Sequence, residues 1–325
     1  MSVLSYCHLL VEMEIFGSTF DDSVFEGARE KPTAVALTSY NAKVCESEWF
    51  SRNIDTEDLL EKQKIFKFRG DIAYRRKRFQ EALNAYNSCL SYVPGGNLTI
   101  RRDILEGMAR CCCYLGKQEQ ALEITETLKN EASNTCHLTC VLHLMVKIHE
   151  CFGDFRNQIV CLQQLCSLHP YHQWHWMKLA ESYLNLFQSL SEPHRTSSRH
   201  QQGGGGAETN TDLQGEVQLK ERDHVWLKAC MCFVRSRLLL RLLKGQQSSF
   251  VLQKSEQAMQ KADDALEYLE AKENTLQLLT EVMSEDLVTE KMREENQDGE
   301  NLAGVILDDF EERWWKRLVL TGALS

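Results

Sequence analysis

Proline is scarce in this chain, with four in 325 residues. Helices can therefore run long without interruption, and a proline-rich, low-complexity architecture is excluded. Runs of β-branched residues are few as well, which argues against a sandwich or barrel. No hydrophobic stretch approaches the length of a membrane span. The run Leu238-Leu239-Leu240-Arg241-Leu242-Leu243 is short and broken by charge. The opening MSVLSYCHLLVEMEIFG has no basic n-region and carries Glu12 and Glu14 inside its apolar part, which makes a poor secretory signal. Positive charge is also in deficit: 37 Lys and Arg against 47 Asp and Glu leave a net charge of −10. A general nucleic-acid grip needs the opposite balance. Catalytic fingerprints are missing too. There is no G-x-S-x-G, H-E-x-x-H or dinucleotide motif, and Gly203–Gly206 lacks both a preceding strand and a following Gly-Lys-Ser/Thr.

What the chain does have is helical hairpin patterning over a chain long enough for a sizeable core. Gly70 and Ala73 mark one helix; Phe79, Ala82, Tyr86 and Cys89 mark the next, and Pro94-Gly95-Gly96 ends it. Small residues at Gly70 and Ala82 let two helix backbones approach, and Tyr86 and Phe79 fill the space beside the contact. A second pair carries Leu105, Ala109, Cys112 and Leu115-Gly116, then Ala121, Ile124 and Leu128. A third carries Leu142, Val146, His149 and Phe152-Gly153-Asp154-Phe155, then Ile159, Leu162 and Leu165. Trp176, Leu179, Ala180 and Tyr183 open a fourth as W-x-x-L-A-x-x-Y.

These residues resemble tetratricopeptide repeats, although the steps between units exceed the ~34-residue period of that family. The resemblance implies an all-α, right-handed solenoid of helical hairpins with a C-terminal helical extension. It also implies a groove along the inner helices that holds a partner protein. Family members that grip acidic chaperone tails use Lys and Asn on the first inner helix, Asn on the second, and Lys and Arg on the third. The matching positions here are Lys67, Asp71, Gly107, Cys140 and Leu144. Only Lys67 fits, and Asp71 would repel a carboxylate, so binding of chaperone C-terminal tails is disfavoured.

The expected organisation is a loosely ordered leader over 1–60, hairpins over 61–187, a flexible polar and Gly-rich insertion over 188–215, and C-terminal helices over 216–325. Phe16, Phe20 and Phe25 in the leader follow no helical period. A lone amphipathic helix beginning at Trp176 would leave its apolar face in water. Residues 216–244, with Trp226, Ala229, Phe233, Leu240 and Leu243 at helical spacing, are expected to cover it. Two further helices are expected near 249–271 and 273–295. A last one bears Ile306, Phe310, Trp314 and Leu318 on one face, and is expected to dock back with Trp315 at its edge.

Several residue groups invite chemistry. Cys111-Cys112-Cys113 point about 100° apart on a helix and cannot share one ion, so they read as core. Cys136, Cys140 and His143 are zinc-ligand types on one helical face. A structural zinc site usually draws on two separated pairs, however, and the expectation is no metal and no cofactor. His169 to Trp176 packs three histidines and two tryptophans into one inter-helix turn with no nucleophile set against them, which reads as an aromatic packing turn. Arg75-Arg76-Lys77-Arg78 sits in a hairpin turn, where its charges are solvated. The thirteen cysteines lie inside helical patterns, which suits reduced thiols in cytoplasm or nucleus. The groove is expected to include Lys64, Lys67, Asp71, Tyr74, Arg110, Tyr114, His143, Lys147, Trp174, Met177 and Glu181. Mixed charge with aromatic edges suits a peptide better than a phosphate backbone. The reading is a non-catalytic interaction scaffold with a protein partner, and with neither nucleic acid nor membrane. A helical-repeat RNA binder and a Cys/His metal protein are the alternatives.

Overall fold

Every described element is helical. A computed structural model describes residues 48–52, 55–191, 209–244, 249–288 and 310–317. The leader before residue 48, residues 192–208 of the insertion, residues 289–309 and the terminus after 317 lie outside the described residues, as do Ile306 and Leu318. The chain divides into two units, Met1–Trp49 and Phe50–Ser325, and the helices below belong to the second. They are α1 (Leu59–Arg75), α2 (Phe79–Leu90), α3 (Leu98–Tyr114), α4 (Gln118–Asn130), α5 (Thr135–Cys151), α6 (Phe155–Leu168), α7 (Gln173–Ser191), α8 (Thr209–Leu243), α9 (Ser249–Tyr268) and α10 (Glu273–Ser284). A π-helical turn, Glu311–Trp315, follows.

The starts and stops are set by local chemistry. Side chains of Asp58, Asn97, Asn134 and Asp154 accept backbone N–H groups of Leu60, Ile100, His137 and Asn157 at 2.9, 3.3, 2.8 and 3.2 Å, opening α1, α3, α5 and α6. The helices α1, α3 and α5 end in one shared turn. The N–H groups of Arg78, Lys117 and Asp154 reach back to the carbonyls of Ala73, Cys112 and His149 at 2.8, 2.9 and 2.9 Å. That closure requires a left-handed residue. Gly116 (φ 73°) and Gly153 (φ 68°) provide it after α3 and α5, and Lys77 (φ 59°) after α1. Glu270 (φ 50°) does the same after α9. Each cap folds its helix sharply onto the next one.

From α1 to α8 every helix packs on its neighbours in sequence; α1 also touches α3, and α3 touches α5. The apolar residues of α5 serve two cores at once. Val141, Leu144 and Ile148 face the cluster built from α1–α4, while Leu138, Leu142 and Val146 join the cluster of the later helices. A helix apolar on two sides, with Lys147 left on a third, suits a position between two hairpins. Within the first core, Tyr86 lies against both Gly70 of α1 and Gly107 of α3. A Cβ would come within 2.5 Å of its ring at Gly70 and 2.9 Å at Gly107.

The second half gathers around α8, which packs along α7 and also contacts α9 and α10. It begins at Thr209, earlier than 216, because adding residues to a formed helix is far easier than nucleating one. The helix α10 stops at Ser284 rather than near 295. Two residues later Asp286 turns inward to a fully buried arginine of α8, Arg235. Arg235 Nη1 donates to Asp286 Oδ1 at 2.5 Å and to the Met283 carbonyl at 2.6 Å, and Nη2 donates to Asp286 Oδ2 at 3.0 Å. The guanidinium lies 4.7 Å from the ring centre of Trp314, 5.7 Å from Tyr171 and 5.8 Å from Trp176. Phe310, Trp314 and Trp315 are all buried. Trp315 was expected at the edge. The wider π turn reduces the angle between successive side chains, so both tryptophans face the body of the protein.

Candidate functional site

Ion pairs join the odd-numbered helices two by two, α1 with α3 and α5 with α7. Lys67 of α1 bonds Asp71 on its own helix and Asp103 of α3, both at 2.8 Å. Burial pulls the Lys67 ammonium down, but Asp103 and Asp71 outweigh it and the net shift is upward. Tyr86 Oη donates to Asp71 Oδ1 at 2.8 Å, so that carboxylate is engaged from two sides. On α3, Arg110 pairs with Glu106 at 2.8 Å. Further along, Lys147 (α5) pairs with Glu150, Glu150 with Lys178 (α7), Lys178 with Glu181, and Glu181 with Lys261 of α9. This row alternates in sign, three lysines with two glutamates between them. Where Glu150 meets two lysines its carboxyl is held below the ordinary range: burial raises it, and hydrogen bonds from Lys178 and Lys147 overcome that.

The expected groove residues all sit on these four helices, in differing surroundings. Lys64 is exposed on α1. Tyr74 is half-buried, and burial pushes its hydroxyl up to about 12. It meets Phe79 and Tyr114 edge-on, at 5.6 and 6.2 Å between ring centres. Tyr114 stacks on Phe79 at 4.3 Å and stays 58% exposed. Trp174 is half-buried, with Lys254 of α9 4.5 Å above its ring. Met177 departs from the expectation, because it is 5% exposed and packs in the core. Met177 shares the i, i+3, i+4, i+7 stripe of Trp174, Lys178 and Glu181 but lies at its edge, about 40° from Glu181, where the core begins. Lys178, absent from the expected set, takes its place.

His143 is held off the open face by a cluster of imidazoles. The Nε2 atoms of His143 (α5) and His175 (α7) lie 3.2 Å apart. The His175 ring stacks on His172 at 3.9 Å and lies 5.6 Å from His169. His169 Nε2 in turn lies 2.8 Å from Thr139 Oγ1. Burial, with the neighbouring imidazoles adding to it, pushes His143 and His172 down to about 4 and His175 well below its usual value. His143, His172 and His175 are therefore neutral near pH 7. The same turn anchors Trp176, which is fully buried and donates from Nε1 to the Pro170 carbonyl at 2.8 Å.

The proposed zinc-ligand types go different ways. Cys136 is exposed and Cys140 half-buried, while His143 faces His175. Among the described residues no three His, Cys, Asp or Glu side chains are arranged to hold a metal ion. The described cysteines are all free thiols. Cys111 and Cys112 are buried in the first core, and burial lifts the Cys111 thiol to about 12. Arg235 was not among the expected residues. Its one sequence signal is an arginine inside the apolar run Phe233-Val234-Arg235-Ser236. Lys178 gave no signal because its partner Glu150 is 28 residues away, nor did Lys254 and Lys261, whose roles depend on α9 lying against Trp174 and Glu181 of α7.

A family model described as a family of unknown function (DUF5588) matches residues 14–225 and 207–319. The chain belongs to that family. It is 34% identical over 357 residues to the human protein "Uncharacterized protein C8orf76", covering 94% of this chain and 93% of that protein. It is 33% identical over 350 residues to the homolog from Rattus norvegicus, with the same shares covered. No solved structure matches it significantly. No described helix is long and apolar enough to cross a membrane.

Proposed function

We propose that this chain is a tetratricopeptide-like, right-handed hairpin solenoid that works as a non-catalytic scaffold. It binds an extended or helical segment of a partner protein along the inner face of α1, α3, α5 and α7. The observation that carries this reading is the row of four helices: ion pairs link α1 to α3 and α5 to α7, α3 packs on α5, and the exposed Tyr114 and the half-buried Trp174 stand along it. Interfaces are enriched in such aromatics beside satisfied polar groups. The chaperone-tail mode stays disfavoured, because Lys67 is committed to Asp71 and Asp103, and Asp71 already accepts from Tyr86. The free thiols suit a reducing compartment, the cytoplasm or the nucleus.

Site-specific photo-crosslinking in cells tests the reading. Tyr114→p-benzoylphenylalanine and the same replacement at Lys147 should capture one discrete partner. Replacement of Glu126, exposed on α4, should not. Equal capture from all three positions, or capture from Glu126 alone, would refute an inner-face site.

A further inference from the structure

Lysines of the inner face pair with carboxylates, but its α1–α2 end does not follow that pattern. Arg75, Arg76, Lys77 and Arg78 are all exposed there, in the turn that leads directly into Phe79. Arg78 pairs with Glu81 at 2.8 Å. The side chains of Arg75 and Lys77 have no ion-pair or hydrogen-bond partner among the described residues. Lys117, at the equivalent turn after α3, reaches across to Gln80 at 3.1 Å and adds a further cation. Between these turns lies the Tyr74–Phe79–Tyr114 aromatic cluster, whose outer ring is the most exposed aromatic on this face.

A second observation points to the same place. Among the inner helices that end in the shared cap, α3 and α5 put glycine in the left-handed position and α1 puts Lys77 there. An L-residue in that conformation is strained where glycine is not. Folding alone would favour glycine at 77, and such strained positions cluster where a side chain has work to do.

We infer that this end of the inner face, Tyr74, Phe79 and Tyr114 ringed by Arg75, Lys77 and Lys117, receives an acidic segment of the partner protein. Carboxylates of that segment meet the cations, and an apolar or proline side chain lies on the exposed Tyr114 ring. The inference rests on the inner-face reading above and adds the chemistry of the partner. It also explains why an acidic protein keeps four consecutive basic residues at one hairpin turn.

The test is selection of random dodecapeptides on the full chain at 150 mM salt, then anisotropy titration of labelled selected peptides (conditions chosen at about physiological ionic strength). Acidic peptides should emerge, and Lys77→Gly should weaken them about tenfold. The same Lys77→Gly variant should melt at a higher temperature, so lost binding cannot be lost folding. Tyr114→Ala should weaken binding by a similar factor. Peptides without acidic character, or unchanged by Lys77→Gly and Tyr114→Ala, would overturn the inference. If those peptides are lost on Arg110→Glu with Lys147→Glu, the inner-face reading survives without it. A library yielding no binder would refute both. A labelled oligouridylate that binds the chain and is lost with the same variants would assign the surface to single-stranded nucleic acid and overturn the acidic-peptide assignment.

Discussion

Gly70→Ala should destabilise this protein, although the same change in an ordinary helix stabilises it. Position 70 is inside α1, where replacing glycine by alanine gains about 1 kcal/mol of helix propensity. The added Cβ would sit 2.5 Å from Tyr86 Cε1 and 2.6 Å from Cδ1. Tyr86 is 3% exposed, its far edge is tight against Gly107, and its hydroxyl is tied to Asp71. Restoring an ordinary carbon–carbon contact of about 3.6 Å needs a ring shift of about 1 Å. Such a shift strains a filled core by about 1–3 kcal/mol and weakens a hydrogen bond to a charged group worth about 1.5–3 kcal/mol. Set against the propensity gain, the net loss is about 1–3 kcal/mol. The assay is urea unfolding of a double-mutant cycle. In a Tyr86→Ala background the obstacle is gone, and Gly70→Ala should become stabilising by about 1 kcal/mol. Stabilisation of the wild-type chain, or equal destabilisation in both backgrounds, would refute the reasoning.

Acidification should weaken the fold before any carboxylate titrates. His143 and His172 stand at about 4 in the folded state against 6.5 for a free imidazole, so the unfolded chain takes up protons first. Stability is then complete above about 6.5 and falls as pH drops towards 4, and a urea midpoint that stays flat between pH 7 and 5 would exclude a buried neutral cluster. Asp286→Ala should cost about 3–5 kcal/mol by leaving the Arg235 guanidinium buried and unpaired, measured by chemical denaturation, and a loss below about 1 kcal/mol would contradict the burial. Brief N-ethylmaleimide treatment followed by peptide mass spectrometry should modify the exposed Cys136 and Cys151 well before Cys111, Cys112, Cys166 or Cys232. Early modification of Cys112 would place α3 differently from the packing described here.

The all-helical fold was legible because its signals are local. Helical spacing, the Pro94-Gly95-Gly96 break and the small residues around Tyr86 are each contained within a few turns of chain. The first hairpin was read as a close approach at Gly70 and Ala82 with Tyr86 beside it, whereas the Tyr86 ring itself lies against Gly70 and, on its other side, Gly107. What escaped depends on distant residues meeting. His143 and His175 are 32 positions apart, and Arg235 and Asp286 are 51 apart; no periodicity links either pair. The extent of α10 was overestimated because that buried pair, not helix propensity, decides where the chain turns. Among the residues expected on α7, Met177 is buried, while its neighbour Lys178 reaches Glu150 and Glu181. Met177 and Lys178 are neighbours in sequence, and the rotation of α7 that buries one and exposes the other is set by α8, which packs along it.

The most direct test of a scaffold working through its inner face is quantitative affinity purification from cells, comparing three stably folded forms of the full chain. These are the wild type, an inner-face variant with Tyr114→Ala, Lys147→Glu and Lys178→Glu, and an outer-face variant with Glu123→Lys and Glu126→Lys, both exposed on α4. The account predicts a partner set shared by the wild type and the outer-face variant and lost from the inner-face variant, with melting temperatures alike. A partner set retained by the inner-face variant, or lost only with the outer-face changes, would contradict it.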